Sequence, residues 1–105
     1  MASDKGFAEF IMETCGVLDA RAMMGEYVFY YCGKVVGGVY DNRFLVKNVP
    51  SARALMPDAA LALPYEGGSE MLLVEDVEDG EFLRKLFKAM YDELPEPKKK
   101  RRDRI

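Results

Sequence analysis

Apolar, polar and turn-forming residues are most regularly ordered between Arg21 and Lys47, where the pattern predicts three short strands. Two tight turns join them, Cys32-Gly33-Lys34-Val35 and Tyr40-Asp41-Asn42-Arg43. Short connections rich in Gly, Asp and Asn fix strand register, because their positive backbone angles suit the twist of paired strands. With Gly33-Lys34 as the first bend, pairs 32:35, 30:37 and 28:39 share one face, and 31:36, 29:38 and 27:40 share the other. The Asp41-Asn42 bend adds 39:44 and 37:46 to the first face, and 40:43, 38:45 and 36:47 to the second. The first face then holds Val28, Tyr30, Cys32, Val35, Gly37, Val39, Phe44 and Val46. The second holds Tyr27, Phe29, Tyr31, Val36, Gly38, Tyr40, Arg43, Leu45 and Lys47. Only the second carries charge, so the first is expected to lie beneath helices. Gly37 and Gly38 are expected opposite Tyr30 and Phe29, whose rings can cover a strand glycine.

Ahead of this segment, Ser3 or Asp4 is placed to cap a helix with Phe7, Phe10, Ile11 and Cys15 on its apolar face. Gly16 is placed to end that helix in a left-handed conformation. Arg21 to Met24 reads as an extended lead-in, interrupted by Gly25 and Glu26 before the run Tyr27 to Cys32. After the meander, Pro50 opens a short helix through Met56, with Asn48 as its candidate cap. Leu61 to Tyr65 and Glu70 to Val74 read as a second hairpin around Glu66-Gly67-Gly68-Ser69. From Asp79 onward, Phe82, Leu83, Leu86, Phe87, Met90, Tyr91 and Leu94 recur at helical spacing, until Pro95 and Pro97 stop the helix. The order α-β(3)-α-β(2)-α implies an α+β fold of two layers, an antiparallel sheet with helices.

At 105 residues the chain suits one domain with a single core. Residues 1–95 are expected to form that domain and 96–105 a disordered basic tail. The net charge of −3 conceals an asymmetry: residues 97–105 hold six basic residues against one acid, leaving −8 on residues 1–96. An acidic body repels polyanions and the tail attracts them. The N-terminal segment lacks a signal peptide's order and no apolar run approaches a membrane span, so the expectation is a cytoplasmic protein that does not enter a membrane. Cys15 and Cys32 are read as two small buried hydrophobes rather than a disulfide or redox pair.

Candidate chemistry narrows the function classes. The chain has no histidine, and its two cysteines lack a metal-ligand spacing. Gly67-Gly68 sits between predicted strands, which reads as a turn and not a phosphate cradle. The acids Glu75, Asp76, Glu78, Asp79 and Glu81 are expected to charge-stabilise the start of the last helix. These features give no catalytic residue, no metal site and no cofactor. Tyr27, Tyr31 and Tyr40 beside Arg43 and Lys47 instead place rings next to cations, a surface suited to a protein partner or to exposed bases. The alternative is that this face packs on a second copy or on the short helix. Lys98, Lys99, Lys100, Arg101 and Arg102 form a polycation, read either as a solubilising end or as a phosphate-contacting, nucleic-acid-binding one.

The pattern Arg21-x-Met23-Met24-Gly25-x-Tyr27, then Gly33-Lys34, Asp41 and Phe44-Leu45-Val46-Lys47, resembles the N-terminal domain of the TfoX/Sxy family. The likeness continues through Pro64-Tyr65-Glu66-Gly67 and the last helix. Glu26 departs from the pattern, which often has a second glycine there, and Met24 stands where Phe is common. The C-terminal domain of full-length regulators is not seen, so the chain looks like a stand-alone form. The resemblance implies a bacterial protein with a secretion-chaperone-like fold. It also implies a role like that of competence (DNA-uptake) coactivators, which act beside a cyclic-AMP receptor protein at promoters. The expected function is therefore a small non-enzymatic regulatory or adaptor domain that binds a protein of the transcription machinery. Its candidate partner-binding residues are Arg21, Met23, Tyr27, Tyr31, Tyr40, Arg43 and Lys47. For Arg21 a buried ion pair is the competing role, and for Met23 and Met24 core or interface filling. Nucleic-acid binding through the tail with Arg43 and Lys47 is the alternative function, and a homodimer through the sheet face or its edges fits either.

Overall fold

Asp4 begins the first helix, α1 (Lys5–Cys15): its carboxylate accepts the Gly6 amide at 3.2 Å, and Gly16 closes the helix with φ 71°. Residues 3–96 are described in this computed structural model. Of the expected tail, 96–105, all but Glu96 lies outside them. Ala8, Ile11 and Cys15 form the buried stripe of α1, whereas Phe10, expected among them, is 41% exposed. Four strands follow, not three: β1 (Leu18–Met23), β2 (Glu26–Tyr31), β3 (Lys34–Tyr40) and β4 (Arg43–Val46). The lead-in is a full strand because Met24 and Gly25, at φ 54° and 84°, make a two-residue turn that Glu26 leaves rather than interrupts.

After β4 come α2 (Pro50–Leu55), the short pair β5 (Leu61–Ala62) and β6 (Met71–Leu73), then α3 (Gly80–Met90) with a final 3-10 turn, Tyr91–Glu93. Val49, not Asn48, occupies the N-cap position of α2, without a side-chain capping bond; the Asn48 side chain instead accepts from Arg53 at 2.6 Å. Asp79 caps α3 by accepting the Phe82 amide at 3.0 Å. The six strands form one antiparallel sheet in the order β1-β2-β3-β4-β6-β5. The class is α+β, as expected, with the order α-β(4)-α-β(2)-α.

Register agrees with the sequence reading at one bend and departs from it at the other. The pairs 40:43, 39:44, 38:45 and 37:46 stand as expected around Asp41-Asn42. At the first bend the central residues are Cys32 and Gly33, at φ 51° and 88°, and the closing pair is Tyr31 with Lys34. That moves β2 by one residue, and a one-residue slip sends every side chain to the other face. Tyr27, Phe29 and Tyr31 therefore point toward the helices, and Val28 and Tyr30 away from them. A β-bulge between Phe29 and Tyr30 restores the phase, because Val36 is inserted opposite that step. Phe29 faces Gly37, and Val28 faces Gly38. Cys32, expected to be buried, is exposed at the bend, and both cysteines are free thiols.

The core lies between the sheet's inner face and the helices. Phe29 meets Phe44 edge-on at 5.5 Å, and Phe44 meets Phe87 of α3 at 6.3 Å. Ile11, Val36, Val39, Val46, Ala52, Leu83, Leu86 and Met90 pack around them without solvent exposure. Lys34 is only 6% exposed; its ammonium lies 4.0 Å from the Tyr91 ring centre and donates to the Tyr91 carbonyl at 3.1 Å. A cation at that carbonyl suits the negative end of the last helical turns. Glu96 lies 3.7 Å from the same ammonium.

The revised register sets a test. Phe29→Ala should cost about 3–5 kcal/mol, as for a fully buried ring. Val28→Ala should cost about 1 kcal/mol or less. Urea denaturation midpoints of the two variants measure the difference, and the opposite ranking would restore the register expected from sequence.

Candidate functional site

The outer face of the sheet, turned away from the helices, is divided into a closed half and an open half. On the closed half the chain covers itself. Arg43 donates through Nε to the Tyr40 carbonyl at 3.2 Å and through Nη2 to the Leu63 carbonyl at 2.8 Å. The Tyr65 ring stands 6.1 Å from that of Tyr40, edge-on. These contacts draw residues 63–65 over β3 and β4. Pro64 is buried there, and Leu45, whose β4 position points outward, is fully buried as well. Lys47 borders this half, where it lines an open cleft of about 380 Å³ together with Val35, Tyr40 and Tyr65.

The open half belongs to β1 and β2. Asp19, Arg21 and Met23 occupy alternate positions of β1, opposite Tyr30, Val28 and Glu26. Arg21 is exposed, and among the described residues it enters no ion pair, which removes the buried-pair reading. Met23 is 48% exposed and Met24, at the tip of the β1–β2 turn, 98%. Neither methionine fills the core. Both thioethers face solvent at the same end of the hairpin.

Of the seven sequence-chosen partner-binding residues, then, Arg21 and Met23 lie together on the open half. Tyr40, Arg43 and Lys47 lie on or beside the closed half, with the Arg43 donors spent on backbone carbonyls. Tyr27 and Tyr31 are on the opposite face, a correction that follows from the bend at Cys32-Gly33. Tyr31 packs at 5.9 Å from Phe87 and 6.1 Å from Tyr91, both on the helical layer. Val28, Tyr30 and Met24 take their place outside. Met24-Gly25, read as a two-residue turn and not as a break, is the signal that would have found them.

The tip of the open half is pinned by the N-terminal segment. The Ser3 hydroxyl donates to the Glu26 carboxylate and accepts the Asn42 amide at 3.1 Å. Ser3 also donates its backbone N–H to the Gly25 carbonyl at 2.8 Å, and Asp4 donates its own to Asn42 Oδ1 at 2.6 Å. Both Glu26 oxygens lie 3.3 Å from the Asp41 amide. One carboxylate thus links two hairpin bends to the start of α1. That gives Glu26 a structural task.

The other candidates resolve simply. Asp79 and Glu81 sit at the start of α3, as expected of the acidic run. No group of three or more potential metal ligands converges among the described residues. No helix there is long and apolar enough to cross a membrane. Lys98, Lys99, Lys100, Arg101 and Arg102 lie outside the described residues.

No protein-family model matches the chain. No solved structure matches it. It is similar to the protein named "Uncharacterized 12.7 kDa protein in trpE 5'region" of Spirochaeta aurantia, with 33% identity over 102 residues, covering 93% of this chain and 89% of that one.

Tyr40 supplies a pH signature of the closed half. Burial, then the neighbouring Tyr65, Glu26 and Tyr30, raise its pKa above the ordinary 10.0. The unfolded chain loses this proton first, so the stabilising effect is complete below pH 10.0 and declines as pH rises toward the folded value. The melting temperatures of the native chain and Tyr40→Phe should therefore keep a constant difference at neutral pH, and the native value should fall relative to the variant above that point. A difference that stays constant into strong alkali would contradict the covered environment of this ring.

Proposed function

The chain belongs to the family of the Spirochaeta aurantia protein, and we propose that it is a small non-enzymatic regulatory or adaptor domain acting by protein binding. The observation that carries this reading is the position of the motif residues Arg21, Met23 and Met24. All three stand exposed on one hairpin, where the core has no use for them. A guanidinium next to two flexible thioethers, on a strand pair backed by a rigid sheet, suits a protein surface of mixed apolar and acidic character. The resemblance to TfoX/Sxy N-terminal domains supplies the setting: a cytoplasmic, bacterial protein whose partner belongs to a transcription complex.

Tyr27 and Tyr31 face the helical layer, so in this reading the β1–β2 hairpin serves as the docking surface in place of the tyrosine face first expected. Arg43 has a structural occupation on the closed half, so nucleic-acid contact would fall mainly to the basic tail. Affinity capture from a bacterial lysate tests the reading, with four baits: the full chain, a form lacking residues 97–105, Met24→Asp and Tyr30→Asp. A partner held by the first two and weakened about tenfold or more by the substitutions is the expected result. Capture that disappears on removal of the tail alone, and falls steeply with salt, would overturn it in favour of nucleic-acid binding.

A further inference from the structure

The edge of the sheet carries an inference independent of that docking reading. β1 is an outermost strand, six residues long, and every residue after Leu18 is exposed. An edge of this length presents unpaired backbone groups unless something covers it. Which groups face outward follows from the turn. Met23 and Glu26 close a two-residue bend, so they form a hydrogen-bonded pair, and Arg21 and Asp19 repeat that phase. The N–H and C=O groups of Ala22, Ala20 and Leu18 therefore point to the open edge.

We propose that this edge pairs with β1 of a second copy of the chain, antiparallel, about a two-fold axis through Ala20. Only residues of the same phase can pair in such a ladder, which limits the axis to a few positions. An axis through Asp19 would oppose Asp19 to Asp19, and one through Arg21 would oppose Arg21 to Arg21. Axes nearer the ends shorten the ladder. The Ala20 axis sets Asp19 of each copy directly opposite Arg21 of the other, twice, at non-hydrogen-bonded positions where side chains approach most closely. The same register brings Val17, 39% exposed, opposite Met23, 48% exposed. On the helix side it sets Ala20 against Ala20 and Ala22 against Leu18, small enough for the strands to approach without obstruction. Charge, apolar matching and backbone phase converge on one self-complementary register, which is what an isologous interface requires. The two sheets would join into one, and the two open halves would form a continuous surface.

Sedimentation equilibrium of the full chain tests this. The native chain should be a dimer. Asp19→Arg and Arg21→Asp should each weaken it by about tenfold or more, by setting like charges opposite one another twice. The double variant Asp19→Arg/Arg21→Asp should restore native affinity to within about threefold, because the pairs are merely exchanged. Ala20→Pro should give a monomer with an unchanged circular dichroism spectrum, since the lost N–H faces outward. A native chain that stays monomeric at millimolar concentration would overturn the proposal. So would a double variant no better than the single ones, or a dimer that survives Ala20→Pro in the folded state.

Discussion

The bulge at Val36 is the constraint on which the rest of the sheet depends. Its two bounding turns make incompatible demands. The bend at Cys32-Gly33 pairs Tyr31 with Lys34, and continued without interruption it would set Phe29 beside Val36 and Tyr27 beside Gly38. The bend at Asp41-Asn42 requires Val39, Phe44 and Val46 to share a face. Val36 and Val39 have opposite parity along one strand, so both can be buried only if a residue is inserted between the two pairings. Inserting it opposite the Phe29–Tyr30 step lets Phe29 and Phe44 meet in one core. Gly37 makes the insertion feasible: a Cβ there would collide with the Leu45 carbonyl oxygen of the adjoining strand.

This explains which parts of the fold were legible in the sequence. The Asp41-Asn42 bend uses residues that tolerate positive φ, and its register was read correctly. The last helix was readable because its apolar residues keep helical spacing and Asp79 is a good cap. The orientation of β2 was not readable. Tyr27, Val28, Phe29, Tyr30 and Tyr31 are hydrophobic or aromatic at every position, so the strand has no polar face to identify its outside. The deciding residue is Cys32, which occupies a left-handed conformation more typical of Asn, Asp or Gly. β1 was concealed differently: Leu-Asp-Ala-Arg-Ala-Met lacks β-branched residues and is a strand because β2 holds it there.

The same inversion redraws the candidate site. Tyr27 and Tyr31, chosen as ring platforms, belong to the helix side, and Tyr31 helps Lys34 fasten the end of the last helix through Tyr91. Arg43 remains on the outer face, but two backbone carbonyls hold it and it anchors the segment that closes the surface. Arg21 and Met23, of the residues first chosen, stand exposed on the open half. Both stand on the strand that was least visible in the sequence.

These features belong to one physical arrangement. Residues 63–65 fold over one half of the outer sheet face, and the N-terminal segment is tied across two bends. Among the described residues, the first hairpin is left bare on its face and at its outer edge. Ser3, Glu26 and Asn42 hold the tip of that hairpin in place, so its exposure does not come with loss of order. A preorganised surface costs less conformational entropy on association than a loose one. Exposed methionines on a pinned hairpin, beside a strand whose charges can answer themselves across a two-fold axis, are the features on which the proposed association would draw.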